Sequence, residues 1–246
     1  MNFSSITPIW LEETDSTNSE ATRLLKHQIL PEGTCICARF QREGKGQRSN
    51  NWLSRPGENL LASFILYPPD QNASQPFLLS KAVAIAVQRT LQAFTQSKPE
   101  IKWPNDLLLD GKKIAGILIE NQWSGSRWQS SIVGIGINVN QTEFAIPHAT
   151  SLASLNGQKT EVEAILNQLQ LELSDWYQSY CNRDFTTISQ EYHANLFGRH
   201  EPRRYTNQTG SFDALVKSVL DDGKIELEIA NGTVQAYALS EISLSY

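Results

Sequence analysis

The pattern of apolar and polar positions predicts an alternation of strands and helices over most of the chain. Short, largely apolar stretches predict strands at residues 9–13, 34–41 and 59–67. Apolar positions spaced three and four apart predict helices at residues 17–25 and 78–91. Strands and helices in this order are typical of an α+β domain.

Turn and cap residues predict where several elements begin. Thr17 followed by Glu20 matches a capping box at the start of the first helix. Asp110-Gly111 lies between the apolar stretches 107–109 and 114–119, which predicts a hairpin of two paired strands. The remaining predicted elements are a strand at Ile101, a strand at residues 131–139, and helices at residues 162–180 and 185–196.

The pattern changes from about Arg199 onward. Short strand-like runs alternate there with Asp222-Gly223 and Asn231-Gly232, both of which favour tight turns. We therefore predict a larger domain over residues 1–198 and a small β domain over residues 199–246.

Charge and hydropathy exclude some functional classes. The chain has 21 Lys+Arg against 26 Asp+Glu, a formal charge of -5, which disfavours a nucleic acid partner. There is no apolar run long enough to span a membrane and no basic, apolar leader, so a cytoplasmic protein is expected. Three cysteines favour small buried thiols over a disulfide or zinc framework, with Cys35 and Cys37 expected on opposite faces of a strand.

Three segments carry candidate chemistry, and each has a structural alternative. The loop with Gly44, Lys45, Gly46 and Arg48 suits an anion, although a mobile connection is the commoner explanation of such a loop. Lys102 precedes Trp103-Pro104 and is therefore held rigidly, either for a carboxylate or phosphate or in an ion pair with Asp106. Glycine and asparagine interrupt an apolar strand, which indicates close approach of a ligand or a β-bulge, at Gly134, Gly136, Asn138 and Asn140.

Taken together, these segments resemble the biotin protein ligase family over nearly the whole chain. The family's marks are a Ser-Thr-Asn helix start, a Gly- and Arg-rich loop, Lys-Trp-Pro-Asn-Asp, a Gly-Lys-Lys-x-Ala-Gly-Ile-Leu strand and Gly-x-Gly-Ile-Asn. They stand here, in the family's order, as Ser16–Asn18, Gly44–Arg48, Lys102–Asp106, Gly111–Glu120 and Gly134–Asn138. The end, Glu241–Leu244, is similar to the closing strand of the family's SH3-like domain.

The resemblance implies a fold and a reaction. The fold is a mixed β-sheet catalytic domain with flanking helices, like class II synthetases, followed by a small SH3-like β-barrel. In the reaction, biotin and Mg-ATP give biotinyl-AMP and pyrophosphate, and a lysine of a carboxylase biotin carrier then displaces AMP. ATP with Mg²⁺ is the implied cofactor, no metal ligand is assigned to the protein, and homodimer formation stays open.

The resemblance also assigns roles to residues. Lys102 is the catalytic residue implied, holding first the biotin carboxylate and then the developing phosphoryl charge. Gly116 is expected to leave room for the ligand chain. The remaining biotin residues implied are Ser16, Thr17, Asn18, Gln41, Gly44 and Lys45, and the nucleotide residues are Lys45, Arg48, Trp52 at the adenine face and Asn138 at its edge.

The loop departs from the family pattern, which is richer in arginine. Lys45 keeps the charge without the bidentate fork of arginine, whereas Gln47 and the Asn50-Asn51 pair carry no charge. Two hypotheses follow. Either Arg48 or Arg55 supplies the missing charge, or this enzyme holds its adenylate more weakly.

Two other functions compete with biotin ligation. A lipoate or octanoate transferase shares the fold and the acylation of a carrier lysine, but its pocket needs no polar end such as Ser16–Asn18. A biotin sensor or transcriptional regulator is the second alternative. Because the first predicted strand begins near Ile9, we expect no DNA-binding helix-turn-helix before it.

Overall fold

A computed structural model describes residues 2–69 and 76–244 of the chain. The larger sheet has seven strands: β1 (Ile9–Thr14), β2 (Cys35–Gln41), β3 (Leu60–Leu66), β4 (Glu100–Lys102), β5 (Asp106–Leu109), β6 (Lys112–Ser124) and β7 (Arg127–Ile137). Their order is β1-β2-β3-β7-β6-β5-β4. β1 and β2 pair in parallel, and the other neighbours pair antiparallel.

Helices flank this sheet on both faces. They are α1 (Thr17–Leu25), α2 (Phe77–Gln92), α3 (Leu152–Asn156), α4 (Val162–Cys181) and α5 (Phe185–Ala194). α1 packs on β2, β3 and β7, whereas α2 packs on α4 and α5 over the opposite face.

The strand β3 shows how alternation divides the two faces. Leu60 and Phe64 belong to the main core beneath α2 and α4, whereas Ile65 packs in the small cluster under α1. Because successive strand residues point to opposite faces, Leu61 and Ser63 share the α1 face with Ile65. That face carries the candidate site.

The C-terminal strands form a separate antiparallel sheet. These are β8 (Arg203–Asn207), β9 (Gly210–Val219), β10 (Ile225–Ile229), β11 (Val234–Tyr237) and β12 (Ser243–Leu244), in the order β11-β10-β9-β8-β12. A mixed sheet with flanking helices followed by a small all-β unit confirms the predicted fold class. Within residues 2–69 and 76–244, no helix has the length and apolar character needed to cross a bilayer.

The predicted elements agree with the structure in kind, and two local predictions are wrong. Ser16, rather than Thr17, caps α1, and its side chain makes no capping bond, while Glu20 accepts from Arg23 instead. The thiols of Cys35 and Cys37 lie on one face, with Sγ atoms 3.5 Å apart, because residues two apart on a strand share a face. The short helix α3 was not predicted.

Candidate active site

A cavity of about 310 Å³ lies between the α1 face of the larger sheet, the loop after β2 and the small domain. This volume is at the lower end of ordinary ligand pockets. Most of the predicted site residues line it: Ser16, Thr17, Asn18, Gln41, Lys45, Arg48, Trp52, Lys102 and Gly116. Gly44 and Asn138 do not.

One end of the cavity is a hydrogen-bonded cluster of short polar side chains. Both the backbone N–H and the hydroxyl of Thr17 donate to Oε1 of Gln41, at 2.8 and 3.0 Å. The hydroxyl of Ser63 donates to Oγ1 of Thr17 at 2.7 Å. Because Oε1 of Gln41 is held by Thr17, the amide of Gln41 has a fixed orientation with its nitrogen turned away from Thr17.

Asn18 ties α1 to the sheet. Its Oδ1 accepts from Ser63 at 2.6 Å, and its Nδ2 donates to Oε2 of Glu120 at 2.7 Å. A Cβ at Gly134 would lie 2.4 Å from Oδ1 of Asn18, so the glycine predicted to allow a close approach admits this amide. Both amide atoms of Asn18 therefore bond to the protein. The sequence interpretation missed Ser63, although a serine inside the apolar stretch 60–66 is a signal of a satisfied buried polar group.

Two lysines and one carboxylate lie at the other end. Nζ of Lys113 is 2.6 Å from Oδ1 of Asp106. Lys102 pairs with Asp106 in the register of β4 and β5. Burial lowers the pKa of Lys102, Asp106 opposes this, and the charge of Lys113 lowers the pKa further. Lys113 was missed, although it lies in the Gly111–Glu120 segment that carried the family resemblance.

The indole ring of Trp52 lies inside the cavity against Gly116 and Gly136. A Cβ at Gly136 would lie 2.5 Å from Cε2 of this indole, and one at Gly116 would lie 2.9 Å from its Cζ3. Nζ of Lys113 lies 5.4 Å from the ring centroid, within cation–π range. The indole Nε1 is buried without a hydrogen-bond partner among the described residues. In this structure the two glycines make room for an aromatic face at the site.

The arginines of the loop region lie in different places. Arg48, which has a left-handed backbone (φ 53°), lines the cavity, and its guanidinium donates to the backbone oxygen of Leu239 in the small domain. Arg55 lies outside the cavity lining and forms an ion pair with Glu143. Of the two arginines, Arg48 is therefore the one placed to supply a positive charge at the site.

Asn138 and Gly44 support the site from behind the cavity lining. Asn138 is 4% exposed, and its Nδ2 donates to the oxygen of Thr150 at 3.0 Å. A Cβ at Gly44 would lie 2.4 Å from the oxygen of Trp52, so glycine lets the loop close on itself there. The predicted direct contacts of these two residues with a ligand stay predictions.

Comparison with known proteins gives a consistent family. The model of the Biotin/lipoate A/B protein ligase family matches residues 10–138. The bifunctional ligase/repressor BirA of Bacillus spizizenii is 33% identical over 91% of this chain and 70% of its own length. The biotin--[acetyl-CoA-carboxylase] ligase of Paracoccus denitrificans is 31% identical over 88% of this chain and 92% of its own length.

A solved structure supports the same conclusion. The biotin protein ligase from Aquifex aeolicus in complex with biotin and ATP superposes with a TM-score of 0.79 at 26% identity, covering 97% of this chain and 98% of that one. Motif order, sheet topology, cavity and sequence similarity all agree: the chain belongs to the biotin/lipoate A/B protein ligase family.

Proposed function

We propose that this protein is an ATP-dependent ligase that forms biotinyl-AMP and transfers biotin to a lysine of a carboxylase carrier domain. The names of the relatives from Paracoccus denitrificans and Aquifex aeolicus support biotin as a substrate. The Aquifex protein was solved in complex with biotin and ATP, which also supports ATP as a substrate. The observation that carries the proposal is one cavity with a polar end at Thr17 and Gln41 and a cationic end at Lys102 and Lys113. This arrangement suits a ligand with a polar head and a carboxylate tail.

In the first step, a carboxylate oxygen of biotin attacks the α-phosphorus of ATP, and the bond from this phosphorus to the pyrophosphate oxygen breaks. Both reactants are anionic where they meet, so cations there reduce their repulsion and stabilise the charge that develops. We assign this role to Lys102 and Lys113. Asp106 holds the ammonium of Lys113 in place.

In the second step, the amine of the carrier lysine attacks the acyl carbon of the mixed anhydride, and AMP leaves as the amine loses its proton. Asp106 is a candidate for the base that takes this proton, because it lies close to Lys102 in the sequence. Its ion pair with Lys113 favours a structural role instead, because the ammonium of Lys113 already occupies Oδ1 of this carboxylate.

The polar end is assigned to the ureido group of biotin. Ser16, Thr17 and Gln41 present hydroxyl and amide groups there, and a buried urea requires such partners. This chemistry favours biotin over lipoate, whose ring has no polar head. Trp52 is assigned to the adenine face, since its ring lies inside the cavity against Gly116 and Gly136.

The partners and domain limits complete the proposal. Mg²⁺ enters as its complex with ATP, because phosphate oxygens are hard ligands of the kind that it prefers. Within residues 2–69 and 76–244, no three His, Cys, Asp or Glu side chains are grouped as a metal site would need. We assign catalysis to residues 1–198 and the SH3-like unit to residues 199–246, whose outer limits lie outside the described residues. A cytoplasmic location remains a prediction, and homodimer formation stays open.

The test is to incubate the protein with Mg-ATP and an apo carrier domain, adding biotin in one sample and lipoate in another. Intact mass of the carrier should show one biotinyl group and no lipoyl group. The Lys102→Ala variant should form biotinyl-AMP much more slowly. Lipoyl transfer at the biotin rate would contradict the substrate assignment, and full adenylation by Lys102→Ala would contradict the role of that lysine.

A further inference from the structure

The turn Leu220–Lys224, between β9 and β10, makes several contacts with the larger domain. These contacts lie outside the polar and cationic ends of the cavity. We call it the anchor turn. Lys81 on α2 is 1% exposed, and its Nζ lies 2.7 Å from Oδ1 of Asp221 in this turn. A buried ammonium without a partner is very unfavourable, so this contact strongly favours one position of the turn.

Two hydrogen bonds from other elements hold the same segment. Nε1 of Trp103, within the Lys102–Asp106 motif, donates to the oxygen of Gly223 at 2.9 Å. On α5, Nε2 of His193 accepts from the backbone N–H of Val219, directly before the turn, at 2.9 Å. The turn is therefore tied to α2, to α5 and to the site motif itself.

The glycine of the turn lets it pack closely. Gly223 has a left-handed backbone (φ 90°), and a Cβ there would lie 3.0 Å from Cδ2 of Phe77 at the start of α2. The turn therefore rests on the Phe77 ring as well as on the three polar contacts. Two domains of one chain usually move relative to each other unless their interface is extensive. Several contacts that meet on one short turn therefore favour a fixed position of the small domain.

The chain leads directly from the anchor turn into the wall of the cavity. Ile225, the first residue of β10, lines the cavity, as do Leu239 and Ile242 of the same small domain. Trp103 lines it from the other side, and Arg48 reaches the oxygen of Leu239 from the loop. A displaced turn would move this wall and open the cavity to water.

We propose that Lys81, Asp221, Trp103 and His193 are positioning residues that keep the small-domain wall closed over the adenylate. The proposal rests on the proposed function and adds a determinant of adenylate retention outside the reacting groups. A mixed anhydride exposed to water hydrolyses, so retention until the carrier lysine arrives is part of the reaction. Among residues 2–69 and 76–244, no hydrogen bond joins Thr17 or Gln41 to the anchor turn, so we expect binding of biotin alone to be independent of the anchor.

The experiment measures the release rate of biotinyl-AMP from wild-type protein, Asp221→Asn, Lys81→Met and the double variant. We expect release about tenfold faster in each single variant, the loss typical of one charged hydrogen bond. The double variant should release biotinyl-AMP no faster than the single variants, because each single substitution already removes the same contact between Lys81 and Asp221. Biotin affinity without ATP should stay within about twofold of wild type. Asp213→Asn, which removes an exposed carboxylate of the same domain, is the matched control.

Two further measurements keep the test decisive. If a Lys81 or Asp221 variant does not fold, Trp103→Phe keeps an aromatic ring, removes the N–H that bonds Gly223, and should also speed release. Hydrogen exchange of residues 220–229 in the ligand-free variants tests whether the anchor has loosened. Loosened exchange with wild-type release would overturn the positioning role, as would unchanged exchange and release. Absence of biotinyl-AMP from the wild type would instead overturn the proposed function.

Discussion

The ammonium of Lys113 and the carboxylate of Asp106 form an ion pair, with Nζ and Oδ1 2.6 Å apart, at the cationic end of the cavity. Their side chains are only 25% and 15% exposed. The pair leaves Lys113 close to Lys102 and over the ring of Trp52. An ammonium held this way needs little reorganisation when negative charge develops beside it.

Replacing Lys113 by alanine should therefore slow adenylate formation. We expect kcat/KM for pyrophosphate release to fall roughly 10²–10³-fold, the size found for one lost donor to developing charge. Lys112→Ala is the matched control, since Lys112 is the exposed neighbouring residue on the same strand. Equal rates for Lys113→Ala and Lys112→Ala would refute the role of Lys113.

Replacing Ser63 by alanine should weaken the polar end of the cavity. Oγ1 of Thr17 and Oδ1 of Asn18, which share the one hydroxyl hydrogen of Ser63, would lose this partner in a buried place. We expect the free energy of unfolding to fall by about 1–3 kcal/mol, together with biotin affinity. Urea denaturation and calorimetry measure the two effects. Ser130→Ala, at a buried serine of β7 outside the cavity, should leave biotin affinity unchanged.

Replacing Gly136 by alanine should displace the indole of Trp52. The new Cβ would lie 2.5 Å from Cε2 of the ring, and such overpacking costs about 1–3 kcal/mol of unfolding free energy. The same change in a Trp52→Ala background should cost little, because the clash is gone. An equal cost in both backgrounds, measured by urea denaturation, would show that the ring is not the cause.

Replacing Gln47 by arginine tests whether this chain holds its adenylate weakly. The guanidinium would add a charge and a bidentate donor to a residue that lines the cavity. We expect biotinyl-AMP to leave the variant more slowly than the wild type. The rate is measured by displacing bound biotinyl-AMP from the protein with a competing ligand. Gln28→Arg, an exposed glutamine after α1, is the control. Unchanged release from Gln47→Arg would refute the weak-binding hypothesis and favour Arg48 as the charge that suffices.

The stability of the protein should depend on His193 at mildly acidic pH. Burial holds the pKa of His193 below its usual value, and the charges of Lys81 and Arg199 lower it further. The unfolded state therefore binds the proton more readily, so the contribution of His193 is complete above about pH 6.5 and is lost as pH falls below it. Protonation also removes the acceptor that Val219 uses.

Urea denaturation between neutral and mildly acidic pH measures this loss. His193→Gln cannot titrate in this range, so its stability should fall less with decreasing pH than that of the wild type. His27→Gln, at an exposed histidine, is the matched control. If His193→Gln and the wild type lost stability in parallel, the assignment to His193 would be wrong.

Turn residues and short motifs explain why much of the fold and of the site could be predicted from the sequence. The Asp110-Gly111 turn has positive φ at both residues, 50° and 74°, as predicted for a tight hairpin between apolar strands. Lys102 and Thr17 lie in short motifs and Trp52 was assigned through the family resemblance, and all three line one cavity. The two errors, the capping box and the thiol faces of Cys35 and Cys37, are local as well.

The sequence by itself determined the order of most strands and helices, because periodicity and turn chemistry act over a few neighbouring positions. Its motifs carried the resemblance to the family, and through that resemblance most of the predicted site residues, which line the cavity. Only the tertiary structure decided that Ser63 bonds Thr17, 46 positions earlier, and that Lys81 meets Asp221, 140 positions later. Such pairs leave no local pattern, since they depend on how sheets and helices pack. The polar end of the site and the contacts that fix its small-domain wall both result from that packing.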